Sequence, residues 1–173
     1  MVTGKAIRQG ILLLILLMAA AAVAWHFWMK REDDETGIRR ILSEVTENIT
    51  KRDSDGTTSN LINSKALPKY FTSPCGISLG GYIDNGYLDS EGITNHSMRI
   101  RTMFRSITPT IKDLYIEVAP GGETAVADFV ASVRGVLNNG EHEGGVRDLR
   151  CNFVKVDGRW KVSAVSIRDV LER

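Results

Sequence analysis

Asp128 is an acid inside an otherwise apolar run, with Ala125, Ala127, Phe129 and Ala131 alternating on one side and Val126 and Val130 on its own. A carboxylate on a sheet that lines an apolar pocket has a raised pKa and can serve as a general base. The plainer reading pairs it with a nearby arginine, Arg134 or Arg150. No His or Tyr can be assigned to it as a partner, so Asp128 is a catalytic candidate without a supporting constellation. Cys75 and Cys151 are the only cysteines. In an oxidising compartment they are candidates for one disulfide, closing a loop of about 75 residues. Cys151 can equally be a small buried hydrophobe. His142 lies in Glu141-His142-Glu143 within a glycine-rich loop, where convergent ligands are lacking, so no metal site is expected. Neither His26 nor His96 suggests a ligand. The chain has no Walker loop, zinc-protease motif, nucleophile elbow or CxxC, and no cofactor is expected.

A second constellation follows from Asp157-Gly158, a strong two-residue hairpin turn. With Val156 opposite Arg159, the ladder places Phe153 opposite Val162, Cys151 opposite Ala164 and Leu149 opposite Ser166. That face reads as core. The same register sets Arg147 opposite Arg168. Like charges directly opposed are unfavourable unless an acid or a bound anion lies between them, so this pair marks a candidate anion-binding end; the plainer reading is splayed, solvated strand ends.

The elements that must position these residues are readable from period. Ile38, Ile41, Leu42, Val45 and Ile49 recur at helical spacing, and a shorter helix is expected from Ser59 to Leu67, interrupted at Pro68. Residues 72–92 read as loop with one short strand or hairpin. Ile93, Ile100, Met103, Phe104 and Ile107 predict a helix ending at Thr108-Pro109. Beyond it the period becomes two, predicting strands at Asp113–Ala119, Thr124–Val136, Val146–Val156 and Arg159–Asp169 in an antiparallel meander. The expected class is α+β, helices packed on a curved antiparallel sheet.

Ahead of these elements, Ile11 to Met29 is nineteen residues without a charge. As a helix it spans about 28 Å, the thickness of a bilayer's hydrocarbon core. The expected organisation is a short tail at 1–10, a transmembrane signal-anchor helix at 11–29, a charged linker at 30–35 and one domain at 36–173. Lys5 and Arg8 on the short side favour a cytoplasmic N-terminus, a single-pass protein of a bacterial inner membrane and a periplasmic C-terminal domain. Cleavage after Ala22-Val23-Ala24, leaving a secreted domain, is the alternative. Residues 32–173 hold 18 Lys and Arg against 21 acids, a net charge of −3. A mildly acidic domain with dispersed arginines is not expected to bind nucleic acid.

The order of elements and the ending Asn152-Phe153-Val154-Lys155-Val156-Asp157-Gly158-Arg159-Trp160-Lys161-Val162 resemble the nuclear transport factor 2-like superfamily. The resemblance covers residues 36–170 and its specific stretch is that hairpin. It implies a cone in which a bent sheet wraps around the helices and leaves a pocket, with Phe129, Leu149, Phe153 and Val162 as its expected lining. The superfamily includes isomerases, dehydratases, binding modules and membrane-anchored assembly proteins of bacterial secretion machines. The expected function is a membrane-anchored, noncatalytic domain outside the cytoplasm that binds a small apolar ligand, an envelope component or a protein partner. The alternatives are a pocket enzyme of the isomerase or dehydratase kind using Asp128, and a structural subunit of a secretion or envelope complex.

Overall fold

The computed structural model describes Met18 and residues 34–80 and 86–168. Helix α1 is continuous over residues 34–49 and buries Ile38 and Leu42 completely or nearly so, with Ile41, Val45 and Ile49 at its flanks. Period 3.6 is thus met by an apolar stripe against a core. Asp34, assigned to the charged linker by sequence, is helical and buried. Helix α2 spans Thr57–Ala66 and tightens into a 3-10 turn over Leu67–Tyr70, where Pro68 removes an amide donor.

Strand β1 (Phe71–Ser78) and the short β2 (Gly86–Leu88) occupy the segment read as loop with a short hairpin. They pair antiparallel, Cys75 opposite Leu88. Helix α3 (Ser90–Met103) starts at Asp89, whose side chain accepts from the Gly92 amide at 2.7 Å. It ends before the expected Ile107. Phe104 is already extended, and Phe104–Val118 forms one long strand, β3, with Pro109 inside it. Proline is tolerated there because β3 is the edge of the sheet, so no neighbour needs its missing N–H. Asp113, the expected strand start, instead sits at a bulge between Lys112 and Tyr115 with φ of 51°.

Strands β4 (Thr124–Leu137), β5 (His142–Val156) and β6 (Arg159–Ile167) complete the expected meander. The order across the sheet is β2-β1-β6-β5-β4-β3, and β1 joins β6 in parallel. The sheet is therefore mixed, correcting the purely antiparallel expectation, and curved around helices on one face. Along β4 the alternation is strict: Ala125, Ala127 and Phe129 are buried under the helices, while Val126, Asp128 and Val130 point to the opposite face. Among the described residues no helix is long and apolar enough to cross a membrane, so no N-terminal transmembrane helix is shown; apart from Met18, the apolar run at 11–29 lies outside them.

Candidate functional site

Phe153 and Val162 are 1% and 2% exposed, Phe129 is buried, and Leu149 packs beside them against Ile38, Leu42, Leu67 and Tyr70. All four residues expected to line a pocket belong to this core, and none of them lines either of the two surface cavities described here. Alternation correctly assigns their face. It cannot say whether helix side chains fill the space opposite, and here Ile38, Leu42 and Tyr70 fill it.

Asp128 lies on the other face of the sheet. Its Oδ1 and Oδ2 accept from Nε and Nη2 of Arg150 at 2.8 Å each, and Arg150 is its direct neighbour across β4 and β5. Arg168 Nη1 stands 3.5 Å from Oδ2. The Arg150 hydrogen bonds hold the Asp128 carboxyl below its ordinary value, with the charges of Arg150 and Arg168 acting in the same direction. This is the opposite of the raised pKa that a general base on a pocket wall would have, and it matches the plainer reading of an Asp–Arg pair.

The opposed Arg147 and Arg168 are not found. Val156 opposite Arg159 and Phe153 opposite Val162 hold as expected, but Ser163 is an extra residue, so Ala164 faces Asn152 and Val165 faces Cys151. One bulge moves every later residue of β6 to the other face. Arg147 instead sits opposite Ala131 on β4 and donates to the Val146 carbonyl at 2.8 Å, while Arg168 reaches Asp128.

Cys75 and Cys151 are both free and buried. They lie on β1 and β5, with β6 between them. Two strand spacings amount to about 9.5 Å, beyond the roughly 7 Å that a disulfide's Cα atoms tolerate. The disulfide expectation is thereby corrected. Burial raises the Cys75 thiol to about 11 and that of Cys151 to about 12, so both behave as apolar side chains. His142 is exposed at the start of β5, and among the described residues no group of three His, Cys, Asp or Glu could hold a metal ion.

Two sites escape sequence reading. Arg101, on α3, is 1% exposed. Its Nη1 donates to the carbonyls of Asn48, Ile49 and Thr50 at 2.8, 3.2 and 2.8 Å, and its Nε to Asn60 Oδ1 at 3.2 Å. A cation thus closes the carbonyl end of α1, where the helix dipole is negative. Lys51, also buried, donates to the carbonyls of Arg101 and Phe104. Burial lowers the pKa of both cations, and for Lys51 the charge of Arg101 adds to the effect. This cluster is structural: most of its donors are aimed at backbone carbonyls, while Arg101 Nη2 faces Asp55 at 3.6 Å.

The second is an open groove of about 430 Å³ between α1, the 3-10 turn and the β5–β6 hairpin. Its fixed end is Asp34, whose Oδ1 accepts from Lys155 Nζ at 2.7 Å and from Trp160 Nε1 at 3.0 Å. Lys155 also lies 4.7 Å from the centroid of the Trp160 ring. Gly37 lies beside the indole, and a Cβ there would stand in ordinary contact with Trp160 Cδ1 at 3.4 Å. Tyr70 and Trp160, both buried, contribute aromatic walls, and Ile41 an aliphatic one. Arg40, Lys69, Lys155 and Arg159 supply four cations against the carboxylates of Asp34 and Glu44. Lys69 Nζ lies 4.6 Å from the Tyr70 ring centroid, and hydrogen bonding to Tyr70 raises its pKa. A small second hollow between α1 and β3 is lined by Leu42, Ile111 and Leu114 beside Arg39, Lys112 and Asp113.

No family model matches the chain, and no curated protein matches it. Solved structures do. A scytalone dehydratase-like protein from Novosphingobium aromaticivorans aligns over 80% of this chain and 85% of its own at 18% identity, with a TM-score of 0.60. Hexachlorocyclohexane dehydrochlorinase LinA type 3 from Novosphingobium barchaimii aligns over 81% and 88% at 13% identity and 0.64. A protein of the calcium/calmodulin-dependent protein kinase II association-domain kind from Xanthomonas campestris aligns over 79% and 87% at 13% and 0.58. This chain has the nuclear transport factor 2-like cone fold. At such identities the likeness concerns the fold alone.

Proposed function

We propose that the domain binds a small ligand, an envelope component or a protein partner in the groove beside Trp160 without transforming it, held at a membrane by residues 11–29. The carrying observation is the contrast between the buried core that holds Phe129, Phe153 and Val162 and an open groove walled by aromatic and charged side chains. A cavity of this size, part apolar with a few fixed polar groups, suits a small ligand. Complementation of a strain lacking the chain tests this. Asp128→Asn is expected to retain activity, and Arg40→Trp, which puts a bulky ring on an exposed position of the groove lining, to lose it at an unchanged membrane level and urea midpoint. Loss with Asp128→Asn in a folded protein, alongside activity in Arg40→Trp, would overturn the reading.

The second reading, a pocket enzyme of the elimination kind, is favoured by the names of two of the fold relatives, a dehydratase-like protein and a dehydrochlorinase. The comparisons back it better than they back the binding reading; the side chains of this chain favour binding, because Asp128 is ion-paired on the outer face. Chemistry here would have to draw on the groove, with Glu44 as base beside Tyr70 and Lys69 as donors. Turnover of a chlorinated or hydroxylated substrate that survives Asp128→Asn and is lost in Glu44→Gln would establish it.

The membrane part of the proposal rests on the uncharged run at 11–29 with Lys5 and Arg8 on its short side. Protease added to spheroplasts is expected to digest the domain. Protection until lysis would reverse the orientation, and a domain recovered in the soluble fraction would favour cleavage after Ala24.

A further inference from the structure

We infer that the groove beside Trp160 recognises a head group whose phosphate leaves it with a net negative charge, carried by an anionic membrane lipid or by a free organic phosphate. This rests on the binding reading above and gives the ligand its chemical class. Charge segregation is the first argument. Residues 32–173 carry a net −3, yet the groove gathers four cations around two carboxylates. Asp34 is spent on Lys155 and the Trp160 indole. Glu44 lies 4.0 Å from Arg40, one turn away on the same helix. Lys69 on the 3-10 turn, which feels the charge of Glu44 without pairing with it, and Arg159 on the hairpin have no carboxylate within 4 Å among the described residues.

Those two cations come from different elements that wall one concave surface, and this is how a compact anion is held: an ammonium as a point charge and a guanidinium as a fork. Trp160, Tyr70 and Ile41 line the same groove. Such a lining accepts the glycerol or acyl stem of the head group while the phosphate meets the charges. Position supplies the third argument. Asp34 lines the groove and stands five residues after Met29, where the uncharged run ends. Five residues in any conformation reach no further than about 18 Å. If the run enters a bilayer, the groove is held within head-group distance of it.

The test uses the full chain in nanodiscs, in a Trp25→Phe/Trp28→Phe background that leaves Trp160 as the only tryptophan. Trp160 fluorescence is read in phosphatidylcholine discs, in discs that also contain phosphatidylglycerol, and in phosphatidylcholine discs titrated with glycerol 3-phosphate. A shift between the two disc types identifies the lipid as the source; a saturable shift with glycerol 3-phosphate identifies the free phosphate. In either case Lys69→Glu/Arg159→Glu is expected to weaken the response at least tenfold, as is the milder Lys69→Gln/Arg159→Gln to a smaller degree. Arg105→Glu, at an exposed site elsewhere, should leave it unchanged. Absence of a shift with both probes, or a shift that survives the double reversal in a protein with the parent urea midpoint, overturns the inference. If neither phosphate probe shifts Trp160 while a neutral amphiphile such as dodecanol does so equally in the parent and the double reversal, the anion inference falls and the binding reading stands.

Discussion

Arg101 carries its guanidinium into a site 1% exposed and turns it on three consecutive carbonyls at the end of α1. Removing it leaves those acceptors and Asp55, 3.6 Å from Nη2, without their cation. Arg101→Met is expected to destabilise by about 3 kcal/mol in urea unfolding, the usual consequence of deleting one member of a buried charged cluster. Arg105→Met, which removes only an exposed pair with Asp53, should be silent. Equal effects would mean that the Arg101 contacts are replaced by water. Asp128 gives a pH prediction. Its folded pKa is lowered, first by the hydrogen bonds from Arg150. The stabilisation is therefore complete above the ordinary carboxylate value of about 4 and lost as pH falls through the lower folded value. The difference in urea midpoint between the parent and Asp128→Asn should be largest at neutral pH and close in strong acid. A gap that widens on acidification would contradict the ion pair.

At the scale of elements, the long strands depend on glycines that let neighbouring backbones meet. A Cβ at Gly144 would stand 2.6 Å from the Val133 carbonyl oxygen, a backbone atom that cannot rotate away. Gly144→Ala should push β5 off β4 near the exposed hairpin and destabilise by about 1–3 kcal/mol. At Gly121 nothing lies within 4 Å, so Gly121→Ala is the neutral comparison. Hydrogen exchange of the amides around Val133 and Gly145 should speed up in Gly144→Ala alone; unchanged protection there would place the strain elsewhere. Strand β3 shows a different economy. As the outer strand of the sheet it carries Pro109 and a bulge at Asp113, features that discourage another chain from pairing with its open edge.

At the scale of the molecule, stability and recognition are housed apart. Phe153 sits 1% exposed where the sheet meets the helices, and Phe153→Ala should cost about 3–5 kcal/mol. Groove substitutions such as Lys69→Glu should leave the urea midpoint unchanged while altering ligand response. If Phe153→Ala were instead tolerated with a gain of ligand uptake into the cone, the interior would be the site, as in the pocket first expected. The Asp34–Lys155 pair, 9% and 12% exposed, ties the first described turn of α1 to the final hairpin.

Local physics made much of this chain legible in one dimension. Ile38, Leu42 and Val45 declared α1 by their spacing, Asp157-Gly158 declared the last hairpin, and the alternation of Ala125 to Ala131 separated the two faces of β4. Each is a signal between residues near in sequence. What only the tertiary structure decided are relations between distant segments. Phe104 and Ile107 fit a helical stripe, but their strand state follows from pairing with β4, and the tolerance of Pro109 follows from β3 being an edge. The parallel junction of β1 with β6 joins residues some ninety positions apart. A single extra residue, Ser163, reversed the facing expected for Ala164 and Ser166 and sent Arg168 to Asp128. Whether an apolar face bounds a cavity or a core depends on what stands opposite it, and that volume is not written in either strand. The groove combines Asp34, Tyr70 and Trp160 from three parts of the chain, so it came into being only when the helix, turn and hairpin were packed together.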